Sequence, residues 1–79
     1  MSKQQMVERA EAILQFVIAY KQEHDGISPT IREISDALGL NSTSLVKFYL
    51  ERLEEGGKIQ MVANSSRGIM VTGGAWRNE

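Results

Sequence analysis

Several residue types on which other classes of protein depend are absent or scarce in this chain. It has no cysteine, which excludes disulfides and thiolate metal sites, and its single histidine argues against a zinc site. No stretch approaches the ~20 apolar residues that span a bilayer, and the N-terminus lacks the charged-then-apolar layout of a signal peptide. We therefore expect a cytoplasmic protein that binds no metal, no cofactor and no membrane.

Enzyme motifs are missing as well. The sequence contains no paired-carboxylate site, no phosphate-binding loop and no nucleophile motif. We therefore expect no catalytic residues and no small-molecule substrate. With 79 residues the chain has room for one domain with a modest core, in which each large apolar side chain matters.

The chain does contain two short helices joined by a tight turn, predicted between residues 28 and 53. Thr30 can cap the first helix and Glu33 can bond back to it, which forms a Thr-x-x-Glu capping box. Pro29 keeps the chain before this cap extended. Gly39 can adopt the left-handed conformation that ends the helix and turns the chain.

The second of these helices begins after a cap at Asn41 or Ser42. Its inward stripe consists of apolar and aromatic residues at helical spacing, namely Val46, Tyr49, Leu50 and Leu53. Two short helices with a glycine turn between them form a helix-turn-helix, whose second helix commonly lies in the major groove of DNA.

A β-hairpin is predicted after the helix-turn-helix. Gly56 and Gly57 end the helix, and two short apolar runs at 59–62 and 69–71 follow, separated by small polar residues and glycine. An apolar stripe at helical spacing predicts a further helix at the start of the chain. The sequence thus predicts an α+β, mostly helical fold, a winged helix-turn-helix over residues 1–72 and a short flexible C-terminal tail at 73–79. The expected helices lie at about 3–24, 31–38 and 43–55, and the hairpin pairs about 58–63 with 68–72.

This order of elements and four short motifs resemble the N-terminal DNA-binding domain of LexA-type repressors. The motifs are Gly-Ile-Ser-Pro-Thr-Ile-Arg-Glu-Ile at 26–34, Ala-Leu-Gly-Leu at 37–40, Leu-Glu-Arg-Leu-Glu-Glu-Gly-Gly-Lys-Ile at 50–59 and Ser-Arg-Gly-Ile at 66–69. The resemblance covers residues 10–71. It implies a sequence-specific transcriptional regulator that binds double-stranded DNA as a repressor, with the SOS response as one setting.

The outer face of the second helix of the motif is the predicted DNA-reading surface. Ser44, Lys47, Phe48 and Glu51 recur at i, i+3, i+4 and i+7, opposite the apolar stripe. Lys47 can donate to guanine or to a phosphate, and Ser44 can donate or accept. Phe48 either contacts a thymine methyl group or tucks toward the first helix or the wing, and the sequence leaves both open.

The resemblance implies that the base-reading positions of LexA-type repressors fall at Ser42, Ser44, Leu45, Lys47 and Phe48. The residues here differ from the polar and acidic set common in proteobacterial members, so the operator sequence does not transfer. At the helix start, the hydroxyls of Ser42 and Thr43 can bond phosphate beside the free backbone N–H groups. The full predicted DNA-binding set is Thr30, Ser42, Thr43, Ser44, Leu45, Lys47, Phe48, Glu51, Arg52, Lys58 and Arg67.

The net charge of −1 is low for a nucleic-acid binder, so the placement of individual charges matters. The acidic residues Glu8, Glu11, Glu23 and Asp25 lie on or just after the first helix, which in a winged helix mostly faces away from DNA. Lys47, Arg52, Lys58 and Arg67 lie in the second half, where they favour DNA binding unless they are only solvated charges. Arg67 in the wing can reach a phosphate or the minor groove; the alternative is a turn residue paired with a nearby glutamate.

Two further expectations concern function and assembly. LexA-type repressors continue into a dimerising domain with a serine–lysine pair that cleaves its own linker. The chain is thus either a fragment of a longer repressor or a stand-alone winged helix, and we favour the second. Near-neutral charge, Phe48 and Trp76 keep open an alternative, a protein-interaction module that modulates another regulator. We expect a monomer with at most weak self-association on DNA, in which Trp76 packs on its own wing or against a second copy.

Overall fold

The computed structural model describes residues 3–72. In chain order they form α1 (Lys3–Glu23), α2 (Ile31–Leu38), α3 (Thr43–Glu55), β1 (Ile59–Met61) and β2 (Ile69–Val71). The two strands pair antiparallel, with Gln60 opposite Met70. This arrangement confirms the predicted winged helix-turn-helix, and α2 and α3 have the predicted bounds. The predicted tail at 73–79, with Trp76, lies outside the described residues.

Helix α1 and both strands are shorter than predicted. α1 ends at Glu23 because Asp25 and Gly26 adopt positive φ angles of 56° and 86°, which a right-handed helix cannot continue. Each strand has only three residues. The Val62 N–H donates to the Gly68 carbonyl oxygen at 2.8 Å, beyond which the connection between the strands turns away from the sheet.

α2 has the predicted caps at both ends. The Glu33 N–H donates to Thr30 Oγ1 at 3.0 Å, and the Thr30 N–H donates to Glu33 Oε1 at 2.8 Å, so both halves of the capping box are present. Gly39 follows the helix with φ 66°, in the left-handed region, and its N–H bonds the last turn. The helix is thus bounded entirely by interactions that are local in sequence.

α3 begins at a second cap, and the structure selects Ser42 from the two candidates. The Leu45 N–H donates to Ser42 Oγ at 3.0 Å, whereas Asn41 adopts φ 54° in the turn. The Ser42 N–H donates to Ser35 Oγ at 3.0 Å, and Ser35 is buried in α2. The start of α3 is therefore tied directly to α2, which holds the two helices at a set angle.

One hydrophobic core joins all five elements, with α1 packed across α3. Its buried members are Ile13, Leu14, Val17, Ile18, Ile34, Val46, Tyr49, Leu50, Leu53, Ile59 and Ile69. The apolar stripes predicted for α1 and α3 are thereby confirmed. None of the helices in residues 3–72 combines the length and the apolar character that a bilayer crossing demands.

Candidate nucleic-acid interface

The first half of α3 presents polar side chains to solvent. Ser44, Lys47 and Glu51 are exposed, as their helical spacing predicts, and Thr43 beside them is exposed as well. Lys47 forms no ion pair with any residue in the described range 3–72. Its ammonium group is therefore available to a ligand that approaches this face.

Phe48 and Leu45 lie deeper than the predicted face would place them. Both are half-buried and pack against the hydrophobic core. The Phe48 ring meets Tyr49 edge-on with 5.3 Å between centroids, and the Arg52 guanidinium carbon lies 5.3 Å from its centroid. Phe48 thus packs within its own domain, and a contact with a thymine methyl group stays a prediction.

Arg52 is also engaged within the domain. Its Nη2 lies 2.7 Å from Glu55 Oε2, so the side chain is shared between this ion pair and the Phe48 ring. The Arg52 side chain is 47% exposed and that of Glu55 is 65% exposed. An exposed pair of this kind is weak, so Arg52 can still turn toward an anion at little cost.

A polar hollow separates α2 from the start of α3. It is lined by Arg32, Ser35, Asp36, Asn41, Ser42, Thr43 and Ser44. Three hydroxyl-bearing residues at the start of α3 share this hollow with the Arg32 guanidinium of α2. Hydroxyl donors and a guanidinium suit phosphate oxygens, whereas the Asp36 carboxylate in the same lining repels an anion, so a phosphate would have to bind on the side of Arg32 and the hydroxyls.

Arg32 is a candidate residue that the sequence analysis missed. It is exposed on α2 and forms no ion pair within the described part of the chain. It lines the polar hollow on one side and a second hollow, toward the wing, on the other. A signal for it existed, since the inward spacing of Ile31, Ile34 and Leu38 leaves position 32 on the outer face of α2.

The second hollow, here called the wing hollow, lies between α2, α3 and the hairpin. Its lining is mainly apolar and consists of Thr30, Ile31, Arg32, Leu50, Met61, Val62, Ser65, Ser66, Gly68 and Ile69. Val62 is 47% exposed at its edge. The wing hollow and the polar hollow share Arg32, so the start of α3, α2 and the wing form one continuous surface.

Arg67 pairs with a glutamate, which is one of the two alternatives that the sequence left open. Its Nη1 donates to Glu33 Oε1 at 2.9 Å and its Nη2 donates to Glu33 Oε2 at 3.2 Å. Nη1 also donates to Tyr20 Oη at 3.3 Å and to the Ser28 carbonyl oxygen at 3.0 Å. Both terminal nitrogens are thus bound within the domain, and a contact of Arg67 with a phosphate or the minor groove stays a prediction.

The electrostatics of Glu33 follow from the same contacts. The Thr30 N–H, followed by the Arg67 guanidinium, lowers the pKa of Glu33 to about 2. Glu33 in return raises the pKa of Arg67, together with the Tyr20 hydroxyl. The carboxylate is thus charged across the physiological range, and its charge is balanced by an arginine on the wing.

Two predicted DNA-binding residues, Thr30 and Lys58, and the single histidine remain to be placed. The hydroxyl of Thr30 is occupied as the cap of α2, and Lys58 is exposed just before β1 with no ion pair in the described range. His24 is exposed in the turn after α1 and stacks on Tyr20 with 4.0 Å between ring centroids. Within residues 3–72 no group of His, Cys, Asp and Glu side chains is arranged to hold a metal ion.

Comparison with known proteins agrees with this geometry. Residues 3–68 match the family described as LexA DNA binding domain. The LexA repressor of Roseiflexus sp. (strain RS-1) is 43% identical over 70 residues, which are 89% of this chain and 32% of that protein. The LexA repressor of Geotalea uraniireducens (strain Rf4) is 40% identical over 70 residues, 89% of this chain and 34% of that protein. The chain thus spans about a third of the length of these curated relatives. It belongs to the LexA DNA-binding domain family.

Proposed function

We propose that this chain binds double-stranded DNA with sequence specificity and acts as a transcriptional repressor in the cytoplasm. The observation that carries the proposal is the continuous surface formed by the start of α3, α2 and the wing. It combines the exposed hydroxyls of Thr43 and Ser44 with Lys47 and Arg32, neither of which forms an ion pair within the described range 3–72. The names of the relatives, LexA repressor, support the same function.

In this proposal α3 lies in the major groove and divides its contacts between bases and phosphates. Lys47 donates to guanine O6 or N7, and Ser44 donates to or accepts from a neighbouring base edge. Ser42 Oγ accepts the hydrogen bond that caps α3, and its O–H can still donate to a phosphate. Arg32 binds the phosphate that settles in the polar hollow, which fixes the register of α3 on the duplex.

Binding by fluorescence anisotropy tests the proposal, first on random duplex and then on a duplex selected from a random pool. Wild type is expected to show a steep fall of log affinity with log salt. Lys47→Ala should cost roughly 1–3 kcal/mol on the selected duplex and relax specificity at one base pair. Arg32→Ala should weaken all duplexes alike and reduce the salt slope by about 0.9.

Lys3→Ala is the matched control, since it removes one positive charge from a residue that lines neither hollow. It should bind as wild type does. Salt-independent binding, or equal losses from Lys3→Ala and Lys47→Ala, would contradict the proposed surface.

We further propose weak self-association on adjacent half-sites. A single module of this size buries only about 600–1,000 Å² on DNA, so two copies gain from binding side by side. Sedimentation at tens of micromolar should give a monomer without DNA. A tight dimer would contradict this part of the proposal.

The protein-interaction alternative gains no support from residues 3–72. Phe48 packs against the core, which accounts for an aromatic residue on this helix without a protein partner. Trp76 lies outside the described residues. The low net charge is compatible with DNA binding because Lys47 and Arg32 are exposed and form no ion pair within residues 3–72.

A further inference from the structure

Four hydrogen bonds connect one side chain of the wing to three separate segments of the helical part. Arg67 reaches Tyr20 near the end of α1, Ser28 in the α1–α2 loop and Glu33 in α2. These partners lie 47, 39 and 34 residues away in sequence. The guanidinium is therefore a cross-link between the wing and the elements that precede α3.

A second contact ties the wing at the neighbouring position. The Ile69 N–H donates to Ser28 Oγ at 3.3 Å, and Ser28 is buried. The same hydroxyl donates to the Pro29 carbonyl oxygen at 2.9 Å, which fixes its orientation. The start of β2 is thus held against the α1–α2 loop, next to the place where Arg67 is held.

The carboxylate of Glu33 takes part in two structures at once. Its Oε1 accepts from the Thr30 N–H at 2.8 Å, which caps α2, and from Arg67 Nη1 at 2.9 Å, which holds the wing. The cap of α2 and the wing therefore share one acceptor group. A shift of the wing relative to α2 has to break the fork between Arg67 and this carboxylate.

The Nη1 and Nη2 groups of Arg67 are engaged within the domain, while the side chain stays 43% exposed. Both terminal nitrogens already donate to acceptors in the domain, and the contact with Glu33 uses the bidentate geometry that a phosphate would need. A phosphate contact would take from the Glu33 carboxylate the guanidinium that pairs with it. Direct phosphate binding by Arg67 thus works against the charge of its own surroundings.

We propose that Arg67 is a positioning residue, which through Glu33 locks the wing to α2 so that α3 and the wing meet DNA as one rigid surface. This inference rests on the proposed DNA binding. The lock itself is a property of the free protein and has its own readout there, in the exchange of wing amides.

The experiment compares Arg67→Met, Arg67→Lys, Glu33→Gln and the double variant Glu33→Gln/Arg67→Met. Affinity for a selected duplex is measured at several salt concentrations, and hydrogen exchange of the Val62 and Ile69 amides is measured in the free proteins. Each single variant should lose on the order of tenfold in affinity, and the double variant should lose no more than the worse single one, because the two residues act as one unit. The salt slope should not change, and the wing amides should exchange faster in every variant.

Arg67→Lys separates positioning from a phosphate contact. Lysine keeps the charge but cannot form the fork, so under the proposal it behaves like methionine. Glu55→Gln is the matched control for Glu33→Gln, since it makes the same charge change and breaks the exposed pair with Arg52. It should leave wing exchange and affinity near the wild-type values.

Two results would overturn the positioning role. One is a salt slope that falls by about 0.9 in Arg67→Met while Glu33→Gln binds normally, which identifies a direct phosphate contact. The other is unchanged exchange of the wing amides in all variants. If wild type bound no duplex at low salt, the proposed function would fail, and the exchange measurement would still show whether the Arg67–Glu33 lock holds the wing.

Discussion

The helix-turn-helix and the wing are held in place by interactions of very different range. The caps of α2 and α3 use bonds between residues three positions apart, and the link from Ser42 to Ser35 spans seven. The wing has one link of similar range, from the Met61 N–H to Glu54 seven residues away, but its ties to α1 and α2 come from Arg67, whose partners lie 34 to 47 residues away. The helix-turn-helix can therefore be predicted from a short stretch of sequence. The position of the wing against α1 and α2 depends on contacts that form only in the folded chain.

The largest expected effect comes from the core that supports the helix-turn-helix. Leu50 is fully buried on α3 and also lines the floor of the wing hollow. Leu50→Ala should lower the free energy of unfolding by roughly 2–5 kcal/mol, measured by urea titration. Val7→Ala, at a residue 61% exposed on α1, is the control and should change it by less than about 0.5 kcal/mol. Equal losses would mean that α3 is oriented differently.

The next effect tests the wing alone. A Cβ at Gly68 would lie 2.9 Å from Val62 Cβ and 3.0 Å from the Val62 carbonyl oxygen, closer than side chains pack. Gly68→Ala should therefore cost about 1–3 kcal/mol and speed amide exchange in the hairpin more than in α2. At Gly56 the nearest atom is 3.6 Å away, so Gly56→Ala is the control with the smaller loss. Equal exchange changes in hairpin and helices would contradict a separately anchored wing.

A smaller effect is expected at the cap of α3. Ser42→Ala removes the oxygen that accepts from the Leu45 N–H and should cost about 1 kcal/mol in a thermal or urea melt. Thr43→Ala changes the neighbouring exposed hydroxyl, which has no capping role, and should cost less. If the two variants melted alike, the cap would not be what sets the start of α3.

The smallest effect is the pH dependence of stability that comes from the Arg67–Glu33 pair, which links the wing to α2. The folded pKa of Glu33, about 2, lies below its ordinary value of 4.5, so its contribution is complete above pH 4.5 and is lost as the pH falls toward 2. The melting temperature of wild type should therefore exceed that of Glu33→Gln above about pH 5, and the gap should close on acidification. A gap that widens toward pH 2 would contradict this sign.

Sequence patterns predicted most of the fold, because most of its signals are local. Thr30, Gly39 and Ser42 mark helix boundaries through contacts with their own neighbours, so α2 and α3 could be bounded correctly. The burial of Lys21 could not be predicted. It depends on the turn after α1, which brings the Gly26 carbonyl oxygen within 3.1 Å of Lys21 Nζ as an acceptor. Its burial lowers the pKa of the amine, which no spacing in the sequence indicates.

The candidate site was predicted less completely, for a similar reason. Helical periodicity placed Lys47 and Ser44 on an exposed face. It could not predict that Arg67 pairs with Glu33, because these residues are far apart in sequence. Nor could it show that Arg32 lies between two hollows, because their walls come from α3 and the wing as well as from α2. Which charges remain unpaired is decided by tertiary contacts.

Amide chemical-shift mapping on a ¹⁵N-labelled sample, titrated with a selected duplex, locates the DNA-binding surface directly. We expect shifts to concentrate at residues 42–48, at Arg32 and in the wing at 65–69, with the first half of α1 unaffected. Shifts centred instead on the hollow formed by Met6, Val7 and Tyr49, or none at saturating duplex, would contradict this expectation.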